Sequence, residues 1–269
     1  MFYEVFSVGP ITVHGYGLMI AIGLLAAILL ADYRGKKQGL DGDLLFNLMI
    51  VAIVTGFLGA KLLYLIVEFK TFIKHPWELL FSGSGFVVYG GIIFGALSAY
   101  FYCKKKGMSF LKHFDLFMPS IAIAQGFGRV GCLGAGCCYG KETESIFHII
   151  FHESPIAPNN VALIPTQLYS SISNFAIAAI LLIYAQKSKK PGNVGLLYLV
   201  LYSVFRSIIE FFRADYRGSI GVLSTSQFIS IFIFVGAIIA MIINHKKGLK
   251  DTEREIEPKK KKEKKQKEA

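Results

Sequence analysis

The chain has 269 residues, 54% hydrophobic and 17% charged, with a formal net charge of +11 and a mean hydropathy of +0.52. Soluble domains carry about a quarter charged residues, so this composition excludes an ordinary water-soluble globule. Four cysteines exclude a disulfide-stapled secreted scaffold, and only the C-terminal end is polar enough for disorder.

A helix crossing a bilayer needs ~20 predominantly apolar residues. Seven stretches approach that length, at 11–31, 44–66, 86–102, 115–134, 167–186, 193–212 and 226–244. They are helix-length and do not alternate, which disfavours an outer-membrane barrel. The expected fold is an all-α integral membrane protein of seven transmembrane helices. The membrane domain covers 1–245, and 246–269 form a disordered polybasic cytoplasmic tail.

The opening MFYEVF has Glu4 as its only charge, which is unlike the basic start of a cleavable signal. The first stretch carries His14 and Tyr16 near its outer end. In the second, Lys61 and Glu68 stand seven apart, roughly on one face, and read as an ion pair or a snorkelling lysine. The third begins GSGFVVYGGIIFGA, with Tyr89 before two glycines. A lone tyrosine at this depth is ordinarily an interfacial anchor.

The fourth stretch contains Pro119 and ends GFGRVGCLGAGCCYG. Each interior glycine costs ~1 kcal/mol relative to alanine, so an interrupted helix is expected here. The glycines serve either close helix packing or approach of backbone N–H groups to a ligand beside Arg129. No GK[ST] follows, so this is not a nucleotide loop. Cys132, Cys137 and Cys138 cluster near its end. They read as small packing residues, as a Cys132–Cys137 or Cys132–Cys138 disulfide, or as a thiol metal site, although no CxxC pair or suitably spaced histidine is present.

The sixth stretch reads LYSVFRSIIEFFRAD. Tyr202, Arg206 and Glu210 recur every four residues, and at about 3.6 residues per turn they share one face. Arg206 and Glu210 either neutralise each other for insertion, or Glu210 holds a guanidinium aimed at an anion. The planar fork of arginine suits phosphate.

Basic residues set the orientation. Arg34, Lys36 and Lys37, then Lys104, Lys105, Lys106 and Lys112, then Lys187, Lys189 and Lys190 fall in alternate loops, outnumbering Lys70, Lys74, Lys141, Arg213 and Arg217 opposite. The positive-inside rule places the N-terminus outside and the C-terminus in the cytoplasm. Lys61, Arg129, Arg206 and Glu210 remain within spans, where a charge costs about 2.5–3.5 kcal/mol and faces a partner or a wet cavity. The tail holds eleven basic against six acidic residues, a composition suited to anionic lipid and, being tethered to seven spans, ill suited to nucleic acid.

The pieces HGYGLM, GFLGAKLLY, YGGIIFGA, GRVGCLGAGCCYG, PTQLY, LYSVFRSIIEFFRAD and LSTSQ occur in an order that resembles the bacterial prolipoprotein diacylglyceryl transferase family, over residues 10 to about 244. The resemblance implies an inner-membrane enzyme of seven spans. Its reaction moves a diacylglyceryl group from phosphatidylglycerol to the thiol of a lipobox cysteine beside a preprolipoprotein signal peptide, releasing glycerol phosphate without metal or cofactor. The positions that match the family's functional ones are Tyr16, Arg129, Gly140, Tyr202, Arg206 and Glu210. Arg129, Gly140 and Arg206 are expected to bind the lipid headgroup.

Three positions depart from the family's pattern. Tyr89 stands where it typically has histidine, Cys132 where it has asparagine, and Ser170 where it often has glutamate. Tyrosine, with a pKa near ~10, is a poor base at neutral pH. Tyr89 is nonetheless the residue placed for acid–base help, with His14 and Glu210 as substitutes, or a nearby arginine alone serving the thiol. Alternative readings are another thiol acceptor or donor lipid, with one of the three cysteines carrying an intermediate, and a non-catalytic lipid binder or small-solute transporter.

Overall fold

A computed structural model describes residues 4–8, 11–83, 85–188, 190–215 and 218–247. The tail expected to be disordered therefore lies outside the described residues from 248 onward. The chain starts with an antiparallel ribbon, β1 (Glu4–Val8) and β2 (Ile11–His14), so the first apolar stretch opens as a strand and becomes helical only at Gly15. The helices α1 (Gly15–Lys37), α2 (Gly42–Val67), α3 (Phe69–Lys74), α4 (Pro76–Phe81), α5 (Val88–Lys106) and α6 (Phe110–Ala135) follow. Two-residue strands β3 (Ile149–Ile150) and β4 (Ala162–Leu163) precede α7 (Thr166–Lys187) and α8 (Asn193–Glu210). A second short ribbon, β5 (Ser219–Ile220) and β6 (Leu223–Ser224), leads into α9 (Thr225–Lys247).

By length and composition α1, α2, α6, α7, α8 and α9 can each cross a membrane. The third expected span forms α5, a 19-residue helix that ends in Lys104, Lys105 and Lys106, so its apolar part is shorter. Many large apolar side chains point outward, among them Leu25, Leu29, Phe57, Ile183 and Phe232. Such a surface suits lipid and not water. The protein is a helical membrane protein.

The described chain divides into two compact units, residues 32–110 and the remainder up to 247. In the unit of 32–110, Asp41 caps α2 by accepting from the N–H groups of Asp43 (3.0 Å) and Leu44 (3.1 Å), satisfying donors left over in the first turn. Helices α2 and α5 then pack glycine against glycine. A β-carbon on Gly90 would collide with the Gly59 carbonyl, and one on Gly91 would come 3.1 Å from the Gly56 carbonyl. Small residues let backbones approach, which is how helices associate where the surroundings are as apolar as their own side chains. Lys61 donates to the Ser82 carbonyl (2.9 Å) and hydroxyl (3.0 Å) and lies near the Tyr64 and Phe86 rings.

In the other unit, Met118 and Ala122 of α6, Ile177, Ala178 and Leu181 of α7, and Val194 and Tyr198 of α8 form the core. Asp115 of α6 accepts from the N–H groups of Gly192 and Gly195, both at 2.7 Å, placing a carboxylate at the positive end of α8. Contrary to the expected interruption, α6 runs unbroken through Pro119 and its glycines. The reason is that tertiary contacts outweigh propensity. Gly126 is pressed against the Phe175 ring, Gly131 against Tyr16 and Met19 of α1, and Gly23 of α1 against Phe127 and Ala124. The residues between α6 and α7 make their own small core of Phe151, Ala157 and Leu163.

Candidate active site

The C-terminus of α6 builds the first wall of the site. Gly136 takes φ +68°, its N–H reaches the Leu133 carbonyl (3.2 Å), and the Cys137 N–H reaches the Cys132 carbonyl (3.1 Å). This Schellman turn ends the helix and brings the side chains at its two ends, Cys132 and Cys137, together. Cys138 follows at φ +64°. Side chains from the start of α7 hold this turn: Thr166 Oγ1 donates to the Cys138 carbonyl (2.7 Å) and Gln167 Nε2 to the Cys137 carbonyl (2.8 Å). None of the four cysteines is joined in a disulfide, so neither Cys132–Cys137 nor Cys132–Cys138 is bridged. Burial and hydrogen bonding act together on the Cys137 thiol: bonds with Cys132 and Cys138, then desolvation, hold it protonated well above the usual thiol range.

Gly140 ties this turn to the end of α8. Its N–H donates to the Ile164 carbonyl (3.1 Å), and it pairs antiparallel with Arg213, flanked by Lys141 N–H to the Phe212 carbonyl (2.9 Å) and Ala214 N–H to the Tyr139 carbonyl (3.3 Å). A β-carbon at Gly140 would overlap Ile164 and Thr166. The glycine is required by close approach of a neighbouring backbone.

Along α8, Tyr202 stacks on Tyr198 at 5.6 Å, and Tyr198 donates to Gln125 Oε1 (2.9 Å). Arg206 and Glu210 form an ion pair, Nη2 to Oε2 at 2.9 Å, with side chains only 11% and 6% exposed. Arg206 Nη2 also donates to Ser226 Oγ of α9 (2.8 Å). Its Nη1 is buried without a partner among the described residues, as is Asn174 Oδ1.

Arg129, Tyr202 and Arg206 meet at a narrow cleft. Ser170, Ser173 and Asn174 of α7 line it with them. Among the described residues the Arg129 side chain bonds only the Cys138 thiol, with Nη1 3.9 Å from Sγ. Arg129 and Arg206 are close enough to feel each other's charge, and both feel that of Arg213. Arg213 donates from Nε (2.9 Å) and Nη2 (2.8 Å) to Asp215. Burial disfavours its charge, but the bonds to Asp215 outweigh that and raise its pKa. Three arginines against Glu210 and Asp215 leave a cationic surplus in an apolar setting, and such a surplus favours an anionic ligand.

Tyr16, at the start of α1, contacts Gly131 and feels the charges of Arg129 and the three cysteines. Tyr16, Arg129, Gly140, Tyr202, Arg206 and Glu210 thus all belong to one compact unit, while Tyr89 belongs to the other, half exposed at the start of α5. Arg213, a loop charge by sequence, is buried beside the site. The polar face of α7 is a second feature that, apart from Ser170, the sequence motifs do not single out. The signal there was Ser170, Ser173 and Asn174 at helical spacing inside an apolar stretch.

Comparison with known proteins locates the chain. The family profile of prolipoprotein diacylglyceryl transferase matches residues 3–243. A phosphatidylglycerol–prolipoprotein diacylglyceryl transferase of Clostridium tetani is 51% identical over 239 residues, 89% of this chain and 96% of the relative. The second such transferase of Clostridium perfringens is 48% identical over 242 residues, 89% and 94% of the two chains. That of Finegoldia magna is 32% identical over 252 residues, 93% and 98%.

Proposed function

The chain belongs to the prolipoprotein diacylglyceryl transferase family, and we propose that it transfers the diacylglyceryl group of phosphatidylglycerol to a lipobox cysteine thiol of a preprolipoprotein. In this reaction the acceptor sulfur attacks the glyceryl carbon. A C–S bond forms, the C–O bond to phosphate breaks, and its electron pair leaves on glycerol phosphate, while the thiol proton passes to a base or to water. The protein's main task is to bind the phosphate and to stabilise its charge as it departs.

The observation that carries this reading is the buried, unpartnered Nη1 of Arg206, a residue that lines the cleft together with Arg129. A phosphate oxygen would satisfy it. Arg129 and Arg206 grip the headgroup phosphate, Glu210 fixes the Arg206 fork, Gly140 holds the wall, and Tyr16 and Tyr202 line the entry. Tyr89 supplies acid–base help. The enzyme sits in the bacterial inner membrane with seven spans, its N-terminus outside and its basic tail on anionic lipid of the cytoplasmic face. The preprolipoprotein docks through its signal-peptide region.

Expression in cells depleted of their own transferase tests the reading. The protein should restore lipoprotein maturation, and the Arg129→Ala and Arg206→Ala variants should not. Stable expression without rescue by the unaltered chain would overturn it.

A further inference from the structure

Spacing alone shows no metal motif in CLGAGCC, but the fold assembles one. The Schellman turn at Gly136 places Cys132 beside Cys137, and the left-handed backbone of Cys138, a conformation uncommon for a residue with a β-carbon, turns a third sulfur toward them. The three Sγ atoms lie within 4.8 Å of one another. Thiolates around a tetrahedral zinc lie ~2.3 Å from the metal and so about 3.8 Å from each other. Loading therefore draws the sulfurs together by up to about 1 Å, on a backbone that Thr166 and Gln167 hold through the Cys138 and Cys137 carbonyls.

We propose that Cys132, Cys137 and Cys138 form a three-thiolate site for one thiophilic divalent cation, of which zinc is the type, with a fourth coordination position open to water. Loading exchanges three S–H protons, released to solvent, for three sulfur–metal bonds, with no change of oxidation state. An all-sulfur donor set selects a zinc-like ion over magnesium or calcium. Charge supports it as well. Three thiolates and a divalent ion sum to −1, and Arg129 Nη1 stands 3.9 Å from Cys138 Sγ, with Arg213 also near Cys138. Cys132 and Cys138 are buried and Cys137 is partly exposed, so the cluster has one solvent-reached member. The inference shares Arg129 with the transferase reading, but its readout is metal and not activity, so the two fail separately.

The full chain, purified in detergent under reducing conditions, is titrated with zinc and separately with cobalt(II). Elemental analysis after dialysis should find one zinc per chain. Cobalt should give the thiolate charge-transfer and intense visible bands of a tetrahedral site. Zinc should protect Cys132, Cys137 and Cys138, but not Cys103, from alkylation read by mass spectrometry. Cys137→Ser should weaken binding at least tenfold, and Cys103→Ser should leave it unchanged. Failure of the unaltered chain to retain zinc, equal binding by Cys137→Ser, or isolation of a Cys132–Cys137 or Cys132–Cys138 disulfide as the resting state would each overturn the proposal.

Discussion

Glu210 Oε2 lies 2.9 Å from Arg206 Nη2, one helical turn away on α8, while Nη1 of the same guanidinium is buried and unpartnered. The carboxylate holds one side of the fork and leaves the other for a ligand. Removing one preorganised donor to a developing anion typically costs about 10²–10³ in turnover. Arg206→Lys, which keeps the charge and loses the fork, should therefore lower glycerol phosphate release about 10²-fold at an unchanged level of folded protein. Wild-type turnover in this variant would show that the fork is not used.

Glu210→Gln leaves Arg206 buried without a counter-charge. Breaking a buried pair by removing one partner costs about 3–5 kcal/mol, so the variant should melt at lower temperature in detergent. Added phosphatidylglycerol should restore part of the loss, because its phosphate supplies the missing charge. Thermal unfolding with and without the lipid measures both effects.

Glycines give a paired contrast. At Gly90 a β-carbon would strike the Gly59 backbone, whereas at Gly17 nothing lies within 4 Å. Gly90→Ala should destabilise by about 1–3 kcal/mol, and Gly17→Ala should be neutral or stabilising by up to ~1 kcal/mol, as expected for an unhindered helical glycine. Gly140→Ala should behave like Gly90→Ala and should also lower activity, since it pushes Gly140 away from Ile164 and Thr166 and so disturbs its pairing with Arg213. Melting curves and activity of the three variants check the order.

Arg213 has its pKa raised in the folded state. A raised folded-state value contributes stability that is fully present below the unfolded value and fades only as pH rises through the folded one. The stability difference between the protein and Arg213→Met should therefore stay flat from pH 6 to about 10. A difference that shrinks across that range would contradict a charged, Asp215-held Arg213.

Much of this organisation could be read along the chain. The apolar stretches coincide with helices because span length is a local property, and the i, i+4 spacing of Arg206 and Glu210 brings them together on any helix. What could not be read depends on distant partners. The continuity of α6 rests on Phe175 and Tyr16 filling the space beside its glycines, and glycine content alone argues the other way. Arg213 looks like a loop charge until Asp215 and the Gly140 pairing bury it. The convergence of three thiols needs both the turn at Gly136 and the αL backbone at Cys138, neither of which CLGAGCC announces.

The central claim is that Arg129 and Arg206 jointly bind a lipid phosphate and promote its departure. The most direct measurement is release of glycerol phosphate from phosphatidylglycerol vesicles carrying the purified protein and a cysteine-containing lipobox peptide. Release should match thioether formed on the peptide one for one, and should fall at least 10²-fold in Arg129→Ala and in Arg206→Ala. Equal release by folded variants, or peptide lipidation without glycerol phosphate, would contradict the account.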